Sequence, residues 1–193
     1  MGGDAGPSVV VAAVGRAIIR HPTVKFLLHG DEAELQPLVS KRAKFGEKVE
    51  IRHAPERVKM EDKPSQIVRR GRNTSMWRAI ESVAKKEADV AISAGNTGAL
   101  MAMSLLQLRT LESIDRPAIA ALWPTLRGQS VVLDVGANIS ADAEQLVDFA
   151  VMGQAFARAV LGLEKPTLGI LNVGEEDQKG NEAVRGAALI LRT

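Results

Sequence analysis

The chain has 193 residues, of which 46% are hydrophobic and 25% charged, so it is long enough to bury a core. Aromatic residues make up 3% and the net charge is +2, which argues against a stacking platform for single-stranded nucleic acid and against a strongly basic surface. The absence of cysteine excludes disulfides, thiolate metal ligands and a cysteine acyl-enzyme. Without a signal peptide or a long apolar run, the expected location is the cytoplasm.

The first half of the chain predicts strands alternating with helices. A glycine-rich turn over residues 1–6 opens the chain, and because such a turn normally follows a strand, we expect the natural N-terminus to lie upstream. The hydrophobic periodicity predicts helices over 9–19, 32–39 and 65–86, the last broken at 71–74, and strands over 24–28 and 49–52.

Residues 90–100 read as a buried strand, a turn of small residues and the start of a helix. Gly95 and Gly98 would let the backbone approach a ligand, and Ser93, Asn96 or Thr97 could cap the helix. The exposed N–H groups at such a helix start suit an anion. An ordinary strand-to-helix turn is the alternative.

The second half continues the alternation. Strands are predicted over 118–122, 130–133 and 167–173, and helices over 143–161 and 182–191. We therefore expect a single α/β domain over 1–193 with a mostly parallel sheet of at least five strands. Glycine-rich turns at the carboxyl ends of such strands converge on a site, and four candidates are present: 1–6, 93–98, 134–138 and 172–181.

Several residues in these turns suit anion or acyl chemistry. Lys179 could bind an anion or a developing oxyanion, unless it is a solvated surface lysine. Glu175, Glu176 and Asp177 could supply an acid, a base or a metal ligand, or simply a charged loop. Asn96 and Asn138 could orient a carbonyl or a phosphate, or be left-handed turn residues.

The basic residues and the histidines give weaker indications of a site. The basic stretch containing Lys63, Arg69, Arg70 and Arg72 could reach a phosphate or be a solvated helix face. The three histidines lack metal-ligand spacing. The chain has no Walker A, GxGxxG or nucleophile-elbow motif, which disfavours P-loop NTPases, dinucleotide enzymes and serine hydrolases.

Six motifs in order resemble those of the bacterial phosphate acyltransferase family, the PlsX acyl-ACP:phosphate transacylases. They are Met-Gly-Gly-Asp at 1–4, Met-Glu-Asp-Lys-Pro at 60–64, Ser-Ala-Gly-Asn-Thr-Gly-Ala-Leu at 93–100, Ile-Asp-Arg-Pro-Ala at 114–118, Asp-Val-Gly-Ala-Asn at 134–138, and Leu-Asn-Val-Gly-Glu-Glu at 171–176 with Lys-Gly-Asn at 179–181.

The resemblance implies transfer of a fatty acyl group from acyl carrier protein to orthophosphate, giving an acyl phosphate for phospholipid synthesis, with no cofactor or metal. It also implies a homodimer with a three-layer α/β/α fold similar to isocitrate and isopropylmalate dehydrogenases, and peripheral membrane association of the full-length enzyme. The family has a strand before residue 1 and about two fifths of its length after residue 193. The chain is therefore expected to be a fragment, the N-terminal and central part of a longer enzyme.

Phosphate attack on a thioester needs an anion cradle, a positive charge and an oxyanion donor, which is typically worth about 3 kcal/mol. We assign catalysis to Lys179 and Asn96. The substrate-binding candidates all lie in the six motifs: Gly2, Gly3, Asp4, Lys63, Ser93, Gly95, Thr97, Gly98, Arg116, Asp134, Gly136, Asn138, Glu175, Glu176 and Asn181.

Residues 71–76 match the family's usual Lys-x-Ser-Ser-Met only loosely, which weakens a role for Thr74. Two other classes stay open: a different enzyme on the same scaffold, such as a short-chain phosphotransacetylase or a metal-dependent dehydrogenase, and a non-catalytic anion-binding domain.

Overall fold

A computed structural model describes residues 3–174, 176 and 179–192. The chain divides into two compact units, Met1–Arg109 and Thr110–Thr193. The single domain expected over 1–193 stays a prediction.

The first unit contains five helices and two strands in its described residues, along with short 3₁₀ turns. Their order is α1 (Pro7–Arg20), β1 (Phe26–Gly30), α2 (Glu32–Ser40), β2 (Val49–His53), α3 (Pro64–Arg70), α4 (Ser75–Ala84) and α5 (Thr97–Leu108), with 3₁₀ turns at Gly3–Ala5, Gly46–Lys48 and Gly71–Asn73. The predicted helix over 65–86 is indeed broken at 71–74, where Thr74 accepts a hydrogen bond from the Trp77 N–H and starts a new helix.

Strands β1 and β2 pair in parallel, with Phe26 opposite Val49 and Gly30 opposite His53. Two apolar clusters form the core of this unit. One joins α1, β1, α2 and the residue before the second 3₁₀ turn through Val11, Val14, Ile18, Leu28, Leu35 and Phe45. The other joins α3, α4 and α5 through Ile67, Met76, Ile80, Ala99 and Met103, and it supports the turn that precedes α5.

The second unit contains β3 (Ala121–Thr125), β4 (Gly128–Val132), α6 (Ala143–Leu161) and α7 (Glu182–Leu191). Helix α6 has a capping box, in which Asp142 and Gln145 satisfy each other's backbone N–H groups, and it ends at Gly162 in the left-handed conformation. Helices α6 and α7 pack against each other, with Phe149, Ala157 and Ala187 buried. Both helices have the bounds that the sequence predicts.

The described residues form a mixed α/β protein, as predicted, but only β1 and β2 confirm the parallel pairing. Strands β3 and β4 are antiparallel and shifted from the predicted 118–122 and 130–133. The reason is that Leu126 and Arg127 alone connect them, and two residues can close a hairpin but not a parallel crossover.

The predicted strands over 90–92 and 167–173 are not formed in the part of the chain that the structure describes. Val90 and Ile92 are 68% and 85% exposed, and Leu171 and Val173 are 89% and 86% exposed. Their apolar character suggested buried strands, but within the described ranges β1 and β2 pair only with each other, as do β3 and β4. These segments therefore lack a ladder partner within their units.

Candidate functional site

The turn before α5 ends in a helix cap made by Asn96. Its side-chain Oδ1 accepts a hydrogen bond from the Ala99 N–H at 3.0 Å, and its φ of −57° excludes the left-handed alternative. The backbone N–H groups of Thr97 and Gly98 have no acceptor among the described residues. This helix start therefore leaves two N–H donors without a partner in the described part of the chain, and the binding of an anion there stays a prediction.

The Asn96 amide nitrogen also forms hydrogen bonds. Its Nδ2 lies 3.3, 3.0 and 3.0 Å from the carbonyl oxygens of Lys59, Met60 and Asp62, which share its two N–H protons. The side chain is buried, with the residue 8% exposed. The amide thus joins the loop over residues 59–64 to the start of α5.

Protein packing explains the glycines around this turn. At Gly3, which has a φ of +56°, a Cβ would collide with the Ala94 carbonyl oxygen. At Gly95 a Cβ would lie 3.1 Å from Met76 Cε, and at Gly98 one would lie 2.9 Å from Pro64 Cγ. The turn at Gly3–Ala5 therefore lies against the 93–98 turn, and the 59–64 loop lies against the start of α5.

Hydrogen bonds of the Asp62 side chain also hold the 59–64 loop. Asp62 accepts the Lys59 N–H at 2.8 Å through Oδ2 and the Arg70 guanidinium at 3.3 Å through Oδ1. Lys63 follows at the start of α3 and is exposed. In the 93–98 turn, the Ser93 hydroxyl accepts the Gly95 N–H at 3.2 Å, which places Ser93 in a turn-forming role.

In the second unit, the Asp134 carboxylate organises the 134–138 turn. Its Oδ1 accepts the N–H groups of Ile119 (2.8 Å) and Ala137 (3.0 Å), and its Oδ2 accepts the N–H (2.7 Å) and Nδ2 (3.0 Å) of Asn138. Burial raises the pKa of Asp134, but these hydrogen bonds to the ionised form outweigh it and hold the pKa below its ordinary value. The carboxylate therefore stays ionised at neutral pH.

This turn already contains an anion. The N–H groups of Ala137 and Asn138, which would cradle a phosphate, point at Asp134 instead. Asn138 Nδ2 also donates to the Pro117 carbonyl at 3.2 Å, so the turn holds the segment that follows the exposed Arg116. Gly136 has a φ of +124° and open space around it. Substrate binding by Arg116, Asp134, Gly136 and Asn138 stays a prediction.

The last turn presents Lys179 on its surface. The Lys179 N–H donates to the Glu176 carbonyl at 2.9 Å, and its carbonyl accepts Asn172 Nδ2 at 3.2 Å. A Cβ at Gly174 would lie 3.1 Å from Lys179 Cγ, so the lysine stem crosses this glycine. The side chains of Lys179 and Glu176 are exposed, and the ammonium makes no ion pair within the described ranges.

Asn181 and Asn172 frame this turn. Asn181 caps α7, accepting the Val184 N–H at 2.9 Å. Gly180 has a φ of +94°, and a Cβ there would lie 2.5 Å from Asn172 Oδ1. Asn172 and Asp62 were not among the predicted site residues, although Asn172 donates to the Lys179 carbonyl and Asp62 accepts the Lys59 N–H.

Gly2 and Glu175 lie outside the described residues, as does the side chain of Asp4. The convergence of all four turns on one site involves both units and stays a prediction. Within the described ranges, acidic and histidine side chains form no group of three suited to a metal ion. Among those same residues, no helix combines the length and the apolar character needed to cross a membrane.

Comparison with known proteins places this chain in a family. Residues 1–193 match the family described as fatty acid synthesis protein, and the chain belongs to that family. The phosphate acyltransferase of Parvibaculum lavamentivorans is 54% identical over all 193 residues, which cover 54% of that relative. Those of Rhizobium rhizogenes and Mesorhizobium japonicum are 53% and 55% identical over the whole chain, which covers 56% and 54% of them. The chain thus spans about half the length of these curated relatives.

Proposed function

We propose that the complete protein carrying this sequence is a phosphate acyltransferase that moves a fatty acyl group from acyl carrier protein to orthophosphate. The observation that carries the proposal is the family match over residues 1–193, together with relatives named phosphate acyltransferase at 53–55% identity. The product, an acyl phosphate, would serve phospholipid synthesis in the cytoplasm.

In this reaction a phosphate oxygen attacks the thioester carbonyl carbon, a new C–O bond forms, and the C–S bond breaks to release the carrier's thiol. The anion is proposed to bind at the start of α5, where the N–H groups of Thr97 and Gly98 have no acceptor among the described residues. Lys63 immediately precedes Pro64, whose ring contacts Gly98. No metal or cofactor is required, because N–H donors and lysines supply the positive potential.

Lys179 is proposed as the catalytic cation, because its exposed ammonium is available to the phosphate or to the thioester oxygen. The prediction that Asn96 donates to the oxyanion stays a prediction. Hydrogen bonds to protein groups occupy both ends of its amide.

The finer structural expectations belong to the same proposal. They are a three-layer α/β/α fold similar to isocitrate and isopropylmalate dehydrogenases, a homodimer, and peripheral association of the complete enzyme with membranes. Their support is the set of six motifs and the parallel β1–β2 pair, whose carboxyl ends lead into α2 and the 54–64 segment.

The test is a steady-state assay of the complete protein with phosphate and either a long-chain acyl carrier protein thioester or acetyl-CoA. Acyl phosphate is trapped with hydroxylamine and quantified as the hydroxamate. We expect turnover with the long-chain thioester at a much higher kcat/KM than with acetyl-CoA. The reverse preference would indicate a short-chain phosphotransacetylase, and binding of phosphate and acyl carrier protein without turnover would indicate a non-catalytic domain.

A further inference from the structure

The Asn96 amide connects two segments that both belong to the proposed phosphate site. We infer that Asn96 is a positioning residue that fastens the 59–64 loop to the start of α5 and so fixes the phosphate site; this inference rests on the proposed function. Its four side-chain hydrogen bonds all go to protein groups, so it acts through what it holds rather than by contact with the substrate.

The chemistry of the contact requires an amide. Three carbonyl oxygens of the loop converge on Nδ2, while one N–H group of α5 faces Oδ1. Aspartate has the same shape and can cap the helix, but it would place a negative oxygen against the three carbonyls. Serine can cap the helix but has a single proton and a shorter reach. Only a primary amide satisfies both sides of this buried position.

The residue after Lys63 in the loop contacts the start of α5. Pro64 is the residue that contacts Gly98, at 2.9 Å from where its Cβ would be, and Lys63 immediately precedes Pro64. The free N–H groups of Thr97 and Gly98 lie on the α5 side of this contact. By holding the loop, Asn96 fixes where the backbone of Lys63 lies relative to these N–H donors, and a cation with two N–H groups suits one phosphate.

This role predicts a particular kinetic change. If the loop is released, ground-state and transition-state binding of phosphate weaken together, so KM for phosphate rises while kcat changes less. KM for the acyl carrier protein thioester stays within twofold. A purely structural defect would instead reduce the fraction of active enzyme, which lowers kcat and leaves both KM values unchanged.

The loop can also be followed without any activity. Trypsin can cut after Lys59, whose neighbour Met60 is 49% exposed, but it cannot cut the Lys63–Pro64 bond. Val58 packs against the second core cluster, so Lys59–Met60 is the exposed bond that loop release would free to enter the protease active site. Cleavage there reports the loop, since the carbonyls of both residues bind the Asn96 amide.

The experiment compares Asn96→Asp and Asn96→Ser with the parent in the complete protein. The matched control is Asp31→Asn, which exchanges the same two residue types at the cap of α2, where Oδ1 accepts the Ala33 N–H at 3.0 Å and lies 4.0 Å from His53 Nδ1. We expect both Asn96 variants to raise KM for phosphate at least about tenfold and to speed Lys59–Met60 cleavage at least about tenfold. The control should change neither by more than about twofold.

Several results would overturn the inference. One is an unchanged KM for phosphate in an active Asn96→Asp enzyme, and another is cleavage at the parental rate. A loss of kcat with parental KM values and a lowered Tm in both variants would assign Asn96 a structural role only. If the parent itself does not turn over, the proposed function fails, and the cleavage rates still decide whether Asn96 holds the loop.

Discussion

Asp134 and Asn96 each make four side-chain hydrogen bonds to protein groups, Asp134 as an acceptor and Asn96 mainly as a donor. Lys179 differs from both, since its ammonium is exposed and forms no ion pair among the described residues. An exposed cation contributes little to stability. Its effect is therefore expected in the reaction rather than in the fold.

Replacement of Lys179 by alanine in the complete enzyme should lower kcat by more than it raises KM for the acyl carrier protein thioester. The reason is that charge on the phosphate and thioester oxygens shifts in the transition state, where a nearby ammonium has the stronger interaction. Initial rates against each substrate measure both constants. The control is Lys25→Ala, which removes another exposed lysine and should change each constant by less than about twofold.

If Lys179 binds phosphate equally in both states, the loss would appear in KM for phosphate and kcat would survive. Unchanged constants would make it a solvated loop residue and would contradict the catalytic assignment.

His29 on β1 is a partly buried residue whose protonation state is coupled to stability. The Ser82 hydroxyl donates to the Arg78 carbonyl and so accepts from His29 Nε2–H at 3.2 Å, while His29 Nδ1 is buried with no partner among the described residues. Burial and the nearby Arg52 lower the pKa of His29, and Glu87 and Glu50 oppose them less strongly.

Because the pKa of His29 is lower in the folded state, the unfolded state binds its proton first as the pH falls. The stability contribution of neutral His29 is full above pH 6.5 and decreases as the pH falls from there through the lowered pKa. We expect the free energy of unfolding to fall by up to about 1.4 kcal/mol per pH unit over this window, and His29→Gln to remove that slope. Urea unfolding at pH 7.5, 6.5 and 5.5 measures how the free energy of unfolding depends on pH.

The two tryptophans make this measurement specific. Trp77 lies on α4 in the first unit and Trp123 on β3 in the second, so a Trp123→Phe background reports α4 alone. The exposed His21 is the matched control, and His21→Gln should leave the slope in place. Identical slopes in the parent and in His29→Gln would contradict the expectation.

At the scale of elements, the start of α5 depends on a close contact with the loop before α3. Gly98→Ala would improve helix propensity but would place a Cβ 2.9 Å from Pro64 Cγ, on a ring with little freedom to move. We expect the free energy of unfolding to fall by about 1 kcal/mol. Thermal unfolding followed by circular dichroism measures the change.

Gly153 within α6 is the matched control, since a Cβ there would lie 3.4 Å from Leu133 Cδ1 in ordinary contact. Gly153→Ala should therefore raise the free energy of unfolding by about 0.5–1 kcal/mol. A stabilising effect of Gly98→Ala would show that the 59–64 loop moves freely. This result would contradict the role of Asn96 in fastening that loop.

For the whole molecule, the homodimer is the expectation that solution measurement can test most directly. Apolar side chains are exposed on both units, including Ile19 (66%), Leu106 (55%) and Leu111 (82%), and a subunit interface would remove such side chains from water. Light scattering of the complete protein, coupled to size-exclusion chromatography, should give twice the chain mass at micromolar concentration. A single-chain mass across that range would contradict the dimer.

Local sequence patterns alone determined several helix bounds and helix caps of this protein. The period of apolar residues predicted the bounds of α6 and α7, and Thr74 and Asn96 form the breaks and caps that their residue types favour. These features depend on contacts within a few residues, so sequence spacing is sufficient to predict them. The motif order likewise predicted the family to which the chain belongs.

Only the tertiary structure decided which segments pair as strands and which groups the polar side chains hydrogen-bond. Residues 90–92 have the composition of a strand, but a strand needs a neighbour, which the sequence pattern cannot specify. The amide of Asn96 bonds to carbonyls more than thirty residues away, at Lys59, Met60 and Asp62. Because those partners are distant in sequence, its turn predicted the helix cap and not the loop that it holds.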